Sequence, residues 1–118
     1  MADFTQLKVW QAAHSFALLA YRLTSTFPTE ERFGLTGQVR RAAVSIGANI
    51  AEACGRYHKG DQARFILVAK GSAKEVRSHL LIARDLGFVP ALAQQSADAQ
   101  LVQIERMLSA LLRAARKS

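Results

Sequence analysis

Between Val9 and Leu23, apolar side chains occupy most of the circumference of a helix. Val9, Trp10, Ala13, Phe16, Ala17, Leu18, Leu19, Tyr21 and Leu23 leave only a narrow polar stripe of Lys8, Gln11, Ser15 and Arg22. The pattern predicts a first helix from about Gln6 to Thr26, started by Thr5 and stopped by Phe27-Pro28, because proline lacks the amide donor a helix needs. A helix apolar over so much of its surface must be covered on more than one side. A single bundle core covers one side; a subunit interface would cover the rest.

The next periodic segment has its N-cap at Thr36 and runs to Cys54–Arg56, with Val39, Ala42, Ala43, Ile46, Ile50 and Ala53 as its apolar face. Opposite them lie Gln38, Arg41, Ser45, Asn49, Glu52 and Arg56 at steps of three or four. Short Ser and Asn are poor choices for a solvated helix face, where Lys, Glu and Gln lose less on entering the helix. Gly47, Ala48 and Ala51 beside the stripe remove bulk and admit another backbone. Arg41, Ser45, Asn49, Glu52 and Arg56 therefore read as a packed polar seam rather than a solvent face.

A third helix is expected from Asp61 to near Leu86, closed by Gly87 in the left-handed C′ position and by Pro90 beyond it. Phe65, Ala69, Ala73, Val76, Leu80 and Ala83 form its core face. Lys70, Lys74, Arg77 and Arg84 gather on an adjoining face, off the core, where replacement should change stability little. The last helix is expected from Ser96, with Ala97, Leu101, Ile104, Leu108, Leu111, Leu112 and Ala115 as one stripe. Four helices joined by short connections predict an all-α fold: an antiparallel up-down four-helix bundle, one domain over residues 1–118.

Charge changes the picture. Sixteen Lys and Arg against nine Asp and Glu give a net charge of +7, and the excess lies in both halves of the chain. That balance fits a polyanionic partner such as RNA or DNA; the bland alternative is that it keeps a helical protein in solution. Lys70, Lys74, Arg77 and Arg84, extended by Arg113, Arg116 and Lys117, are the candidate phosphate contacts. The last three also suit the negative end of any helix dipole. No aromatic residue interleaves with the band, so the chemistry on offer is backbone neutralisation without base reading. The rival class is a structural or protein-interaction scaffold.

Catalytic signals are lacking. His14, His58 and His79 are far apart, and His14, on an apolar helix, reads as a hydrogen-bonded core histidine. GLTG lacks the pattern of a phosphate loop, Glu30-Glu31 read as a turn or cap pair, and the single Cys54 reads as a small buried or half-buried filler. No metal, cofactor or catalytic residue is expected. The N-terminus shows no signal-peptide pattern and no apolar run spans a bilayer, so the expectation is a cytoplasmic protein with no membrane partner.

At LKVWQAA, FPTEERFGLTGQVRRAAVSIGANIAEACGR and AKGSAKEV the chain resembles the four-helix-bundle proteins encoded within intervening sequences of 23S ribosomal RNA genes. That family includes the accessory variability protein of diversity-generating retroelements. The resemblance implies a ring-like homopentamer without enzymatic activity. It implies nucleic acid and a reverse transcriptase as partners only for a retroelement-linked member. Ala53 stands where the family has glycine after the Asn-Ile-Ala-Glu motif, and Cys54 follows.

Overall fold

The computed structural model describes residues 3–117. Its four α-helices are α1 (Lys8–Thr24), α2 (Leu35–Cys54), α3 (Lys59–Asp85) and α4 (Ala91–Lys117), with short 3-10 turns at Phe4–Gln6 and Thr29–Glu31. No strand occurs among the described residues.

Each helix buries a stripe whose members alternate by steps of three and four. On α3 the buried positions are Gln62, Ile66, Ala69, Ser72, Ala73, Val76, Leu80 and Ala83; on α4 they include Ala97, Leu101, Ile104, Leu108, Leu112 and Ala115. This near-heptad spacing keeps one seam turned toward neighbouring helices that lie side by side. Phe16, Ile46, Ile50, Ile66, Leu80, Leu101 and Leu108 are fully buried. Alanines 13, 20, 43, 53, 69, 73, 83 and 97 between them let the backbones approach. Consecutive helices pack on one another, α2 against α3 most extensively, and α1 also touches α4. The longest dimension is 45 Å. A 27-residue helix spans about 40 Å at about 1.5 Å per residue, so α3 and α4 run the length of the molecule.

Helix starts depart from the sequence reading, and local chemistry explains each case. Asp3 accepts a hydrogen bond from the Thr5 amide and opens the first 3-10 turn; Leu7 is then extended, and α1 begins at Lys8. α2 starts at Leu35 rather than after a Thr36 cap. The Glu31 carboxylate, folded back from the preceding turn, accepts the Leu35 amide at 3.0 Å, and Thr36 is buried in the first helical turn. α3 starts at Lys59, leaving Asp61 inside the first turn, where a carboxylate favours the helix dipole. α4 begins at Ala91, well before Ser96, because Pro90 both stops the incoming chain and suits the entry to a helix.

The end of α3 follows the expectation. Gly87 has φ 78°. Its amide donates to the Arg84 carbonyl and the Phe88 amide to the Ala83 carbonyl, satisfying the last turn in a Schellman arrangement. Phe88 then packs on Phe27, ring centroids 5.7 Å apart, which ties this turn to the α1–α2 connection. No helix among the described residues is long and apolar enough to cross a membrane.

Candidate nucleic-acid interface

The basic face of α3 meets two acids of α4. Arg77 Nε donates to Asp98 Oδ1 at 2.8 Å and Nη2 to Asp98 Oδ2 at 3.4 Å, while Nη1 donates to Glu105 Oε2 at 2.9 Å. Lys74 Nζ completes the group 2.7 Å from Glu105 Oε1. The geometry is set by sequence spacing: Asp98 and Glu105 are two turns apart on one side of α4, and Lys74 and Arg77 one turn apart on α3. Burial pushes the Glu105 carboxyl up, but the hydrogen bonds from Lys74 and Arg77 more than offset this and hold it below the ordinary carboxylate range. The bonds to Asp98 and Glu105 likewise raise Arg77.

Arg84 Nε lies 2.9 Å from the carboxylate of its neighbour Asp85. Three of the four cations of the α3 band thus carry a carboxylate from their own chain; Lys70, half-buried, makes no ion pair.

The cations without carboxylate partners lie elsewhere. Arg113, Arg116 and Lys117 on α4 are exposed and enter no ion pair among the described residues, and neither does exposed Arg106, which the sequence reading passed over. Arg106, Arg113 and Lys117 are spaced i, i+7, i+11 and share one face over about 17 Å of helix at about 1.5 Å per residue. The same spacing was visible in the sequence, but Arg106 directly follows the acidic Glu105 and no local basic cluster marked it.

The polar stripe of α2 divides in two. Ser45 Oγ and Ser72 Oγ are 2.9 Å apart across the α2–α3 contact, and Asn49 Nδ2 donates to the Ser45 carbonyl at 2.8 Å and to Ser45 Oγ at 2.9 Å. Glu52 and Arg56 are exposed and pair with each other at 2.9 Å, with the Arg56 guanidinium over the Phe65 ring of α3. Arg41 is exposed. Beside Gly47 stands the Trp10 side chain of α1 and not the backbone expected there: a Cβ added at Gly47 would meet Trp10 Nε1 at 3.4 Å.

On the far side of α1 and α2 an apolar groove of about 450 Å³ is lined by residues including Trp10, Ala17, Leu18, Tyr21, Val44 and Ala48. Leu18, Tyr21 and Val44 are each 47% exposed. His14 belongs to this groove and not to the core. It is exposed and stacks on Trp10 with ring centroids 4.9 Å apart, correcting the expectation of a hydrogen-bonded core histidine. The buried stripe of α1 runs through Val9, Ala13, Phe16, Ala20 and Thr24, and position 14 lies off that stripe. Burial pushes the Cys54 thiol up, away from thiolate chemistry. No cluster of three or more His, Cys, Asp or Glu suited to a metal ion occurs among the described residues.

Comparison with known proteins adds a family and a fold. A sequence model of the family described as 23S rRNA-intervening sequence protein matches residues 5–110. A solved protein of unknown function from the S23 ribosomal protein family of Bacteroides thetaiotaomicron is similar, with a TM-score of 0.79 and 21% identity, over 88% of this chain and 97% of its own. At that identity the likeness concerns the fold. A search of curated protein sequences gave no significant match.

Proposed function

This chain belongs to the family of 23S rRNA-intervening sequence proteins, and from that premise we propose a non-enzymatic, cytoplasmic protein that assembles with copies of itself and holds RNA or DNA by its phosphates. The observation that carries this reading is the α4 face of Arg106, Arg113 and Lys117, exposed and without an ion pair among the described residues. Cations so placed neutralise phosphates and release counterions without reading bases. Arg116 extends that face, and half-buried Lys70 is a lesser contributor. Lys74, Arg77 and Arg84 are already answered by Glu105, Asp98 and Asp85 and serve packing first.

Self-association is supported by the α1–α2 groove, whose exposed Leu18, Tyr21 and Val44 form a continuous apolar surface. Within the subunit, short connections between consecutively packed helices support a single up-down domain. A ring of five comes from the family resemblance, and such a ring would repeat the α4 face in every subunit so that weak contacts act together. A reverse transcriptase joins the partners only where a retroelement accompanies the gene.

Fluorescence anisotropy with structured RNA, single-stranded DNA and duplex DNA over a salt series tests the reading. Binding to all three that falls steeply with salt supports it. Absence of binding to all three at low salt overturns it and leaves the self-associating scaffold, which the apolar groove favours.

A further inference from the structure

Where α1 ends and α2 begins, a depression of about 200 Å³ is walled by Thr24, Ser25, Thr29, Arg32, Thr36 and Arg40, with apolar Phe27 and Pro28 completing it. Arg40 is held from two sides. Its Nε donates to Thr24 Oγ1 at 2.8 Å, its Nη2 to the Tyr21 carbonyl at 3.5 Å, and its guanidinium lies over the Tyr21 ring, 4.6 Å from the centroid. These bonds use two of the five N–H donors of a guanidinium and fix the direction of the others. Neither Arg40 nor Arg32 enters an ion pair among the described residues; the Arg32 guanidinium lies over the Phe33 ring, 5.7 Å from its centroid. Glu31, next to Arg32 in sequence, is committed to the Leu35 amide instead.

Thr36 supplies the second, independent observation. It is only 6% exposed, it lines the depression, and its hydroxyl makes no hydrogen bond among the described residues. All fully buried side-chain polar atoms among the described residues do have partners. The Thr36 hydroxyl is therefore not sealed from solvent, and on the wall of the depression it is available to bond an occupant in place of water.

We propose that this depression binds a single phosphate-class oxyanion, gripped by Arg40 and Arg32 and hydrogen-bonded by the Thr36 hydroxyl. A guanidinium fork matches two oxygens of such a group, and a third oxygen falls to the hydroxyl. At the start of α2 the Leu35 amide is already taken by the Glu31 carboxylate, so the two guanidinium groups and the hydroxyl supply the donors. An apolar occupant would leave two cations and a hydroxyl unsatisfied, and a cation would be repelled. The oxyanion can be free phosphate or a phosphate of a polynucleotide. The site is separate from the α4 face, so either can fail alone.

The test is a titration of the ¹⁵N-labelled protein with inorganic phosphate, with sodium chloride at matched ionic strength, and with a short single-stranded DNA. The reporters are the Arg40 Nε–H signal and the Thr36 and Gly37 amides. Phosphate should shift them saturably in the millimolar range, and chloride should not. Thr36→Val and Arg32→Gln should each weaken phosphate binding about three- to tenfold with an unchanged unfolding temperature, since neither side chain makes a hydrogen bond inside the protein. Arg40→Lys, which keeps the charge and loses the fork, should weaken it more. Saturable shifts with phosphate and DNA alike assign the polynucleotide backbone as the source; shifts with phosphate alone assign the free anion. No saturable shift with either, equal shifts with chloride, or wild-type affinity in Thr36→Val overturns the proposal.

Discussion

Arg77→Ala removes the side chain that touches both acids of α4, and its effect follows from what stays behind. Asp98 loses its guanidinium partner, and Glu105, whose side chain is 11% exposed, keeps only Lys74, itself 66% exposed. A solvent-exposed partner of that kind contributes under about 1 kcal/mol. Losing hydrogen bonds to a charged, largely buried group costs about 1.5–3 kcal/mol. Arg77 is 33% exposed, so water relieves part of the loss, and about 2 kcal/mol is the expected destabilisation near neutral pH. For a chain of this size that lowers Tm by roughly 6–12 °C. Lys74→Ala alone should cost less than about 1 kcal/mol.

The pH dependence carries a sign. Because Glu105 is held below its ordinary pKa, its bonds stabilise the fold above the ordinary glutamate range, and that contribution is lost as pH falls through the folded value. In the Lys74→Ala/Arg77→Ala double variant only burial remains, and burial raises the pKa. Glu105 should then disfavour folding at neutral pH and cease to do so once protonated. Unfolding followed by circular dichroism at one fixed protein concentration, near pH 7 and near pH 4, checks both parts. An Arg77→Ala stability within about 0.5 kcal/mol of wild type refutes the reasoning, as does a gap between wild type and double variant that fails to narrow in acid.

Three further outcomes are expected. Asn49→Leu should cost about 1–3 kcal/mol in thermal unfolding, because it removes both bonds to Ser45 and sets an apolar group beside the Ser45–Ser72 contact. Arg106→Ala/Arg113→Ala/Lys117→Ala should weaken RNA and DNA binding across sequences and flatten the slope of log affinity against log salt by about 0.7–0.9 per lost phosphate contact. Its unfolding temperature should stay put, and Lys74→Ala should leave the slope nearly unchanged. Leu18→Glu or Val44→Glu should dissociate the oligomer without loss of helicity, read by light scattering coupled to size exclusion; an undiminished mass would place the subunit contact elsewhere.

Spacing along the chain was enough to read the helices and most of their buried faces, because a helix repeats every 3.6 residues and its core side is printed at steps of three and four. Ala69, Ala73, Val76, Leu80 and Ala83 are buried as that arithmetic requires. Gly87 was legible for a related reason: a left-handed residue after a helix admits few side chains, so glycine marks it locally. Helix starts were less legible, since a cap can come from a residue outside the helix, as Glu31 does for Leu35.

The candidate site depended on tertiary structure. In sequence Lys74, Arg77 and Arg84 form a basic band, yet the carboxylates that answer Lys74 and Arg77 lie on another helix, Asp98 and Glu105 being 21 and 28 residues beyond Arg77. Only the rotation of α4 against α3 decides which charges cancel and which, like those of Arg106, Arg113 and Lys117, remain for a partner. Periodicity fixes where a side chain points around its own helix; it carries no information on what the neighbouring helix presents there, because Coulomb pairing acts through space and not along the chain.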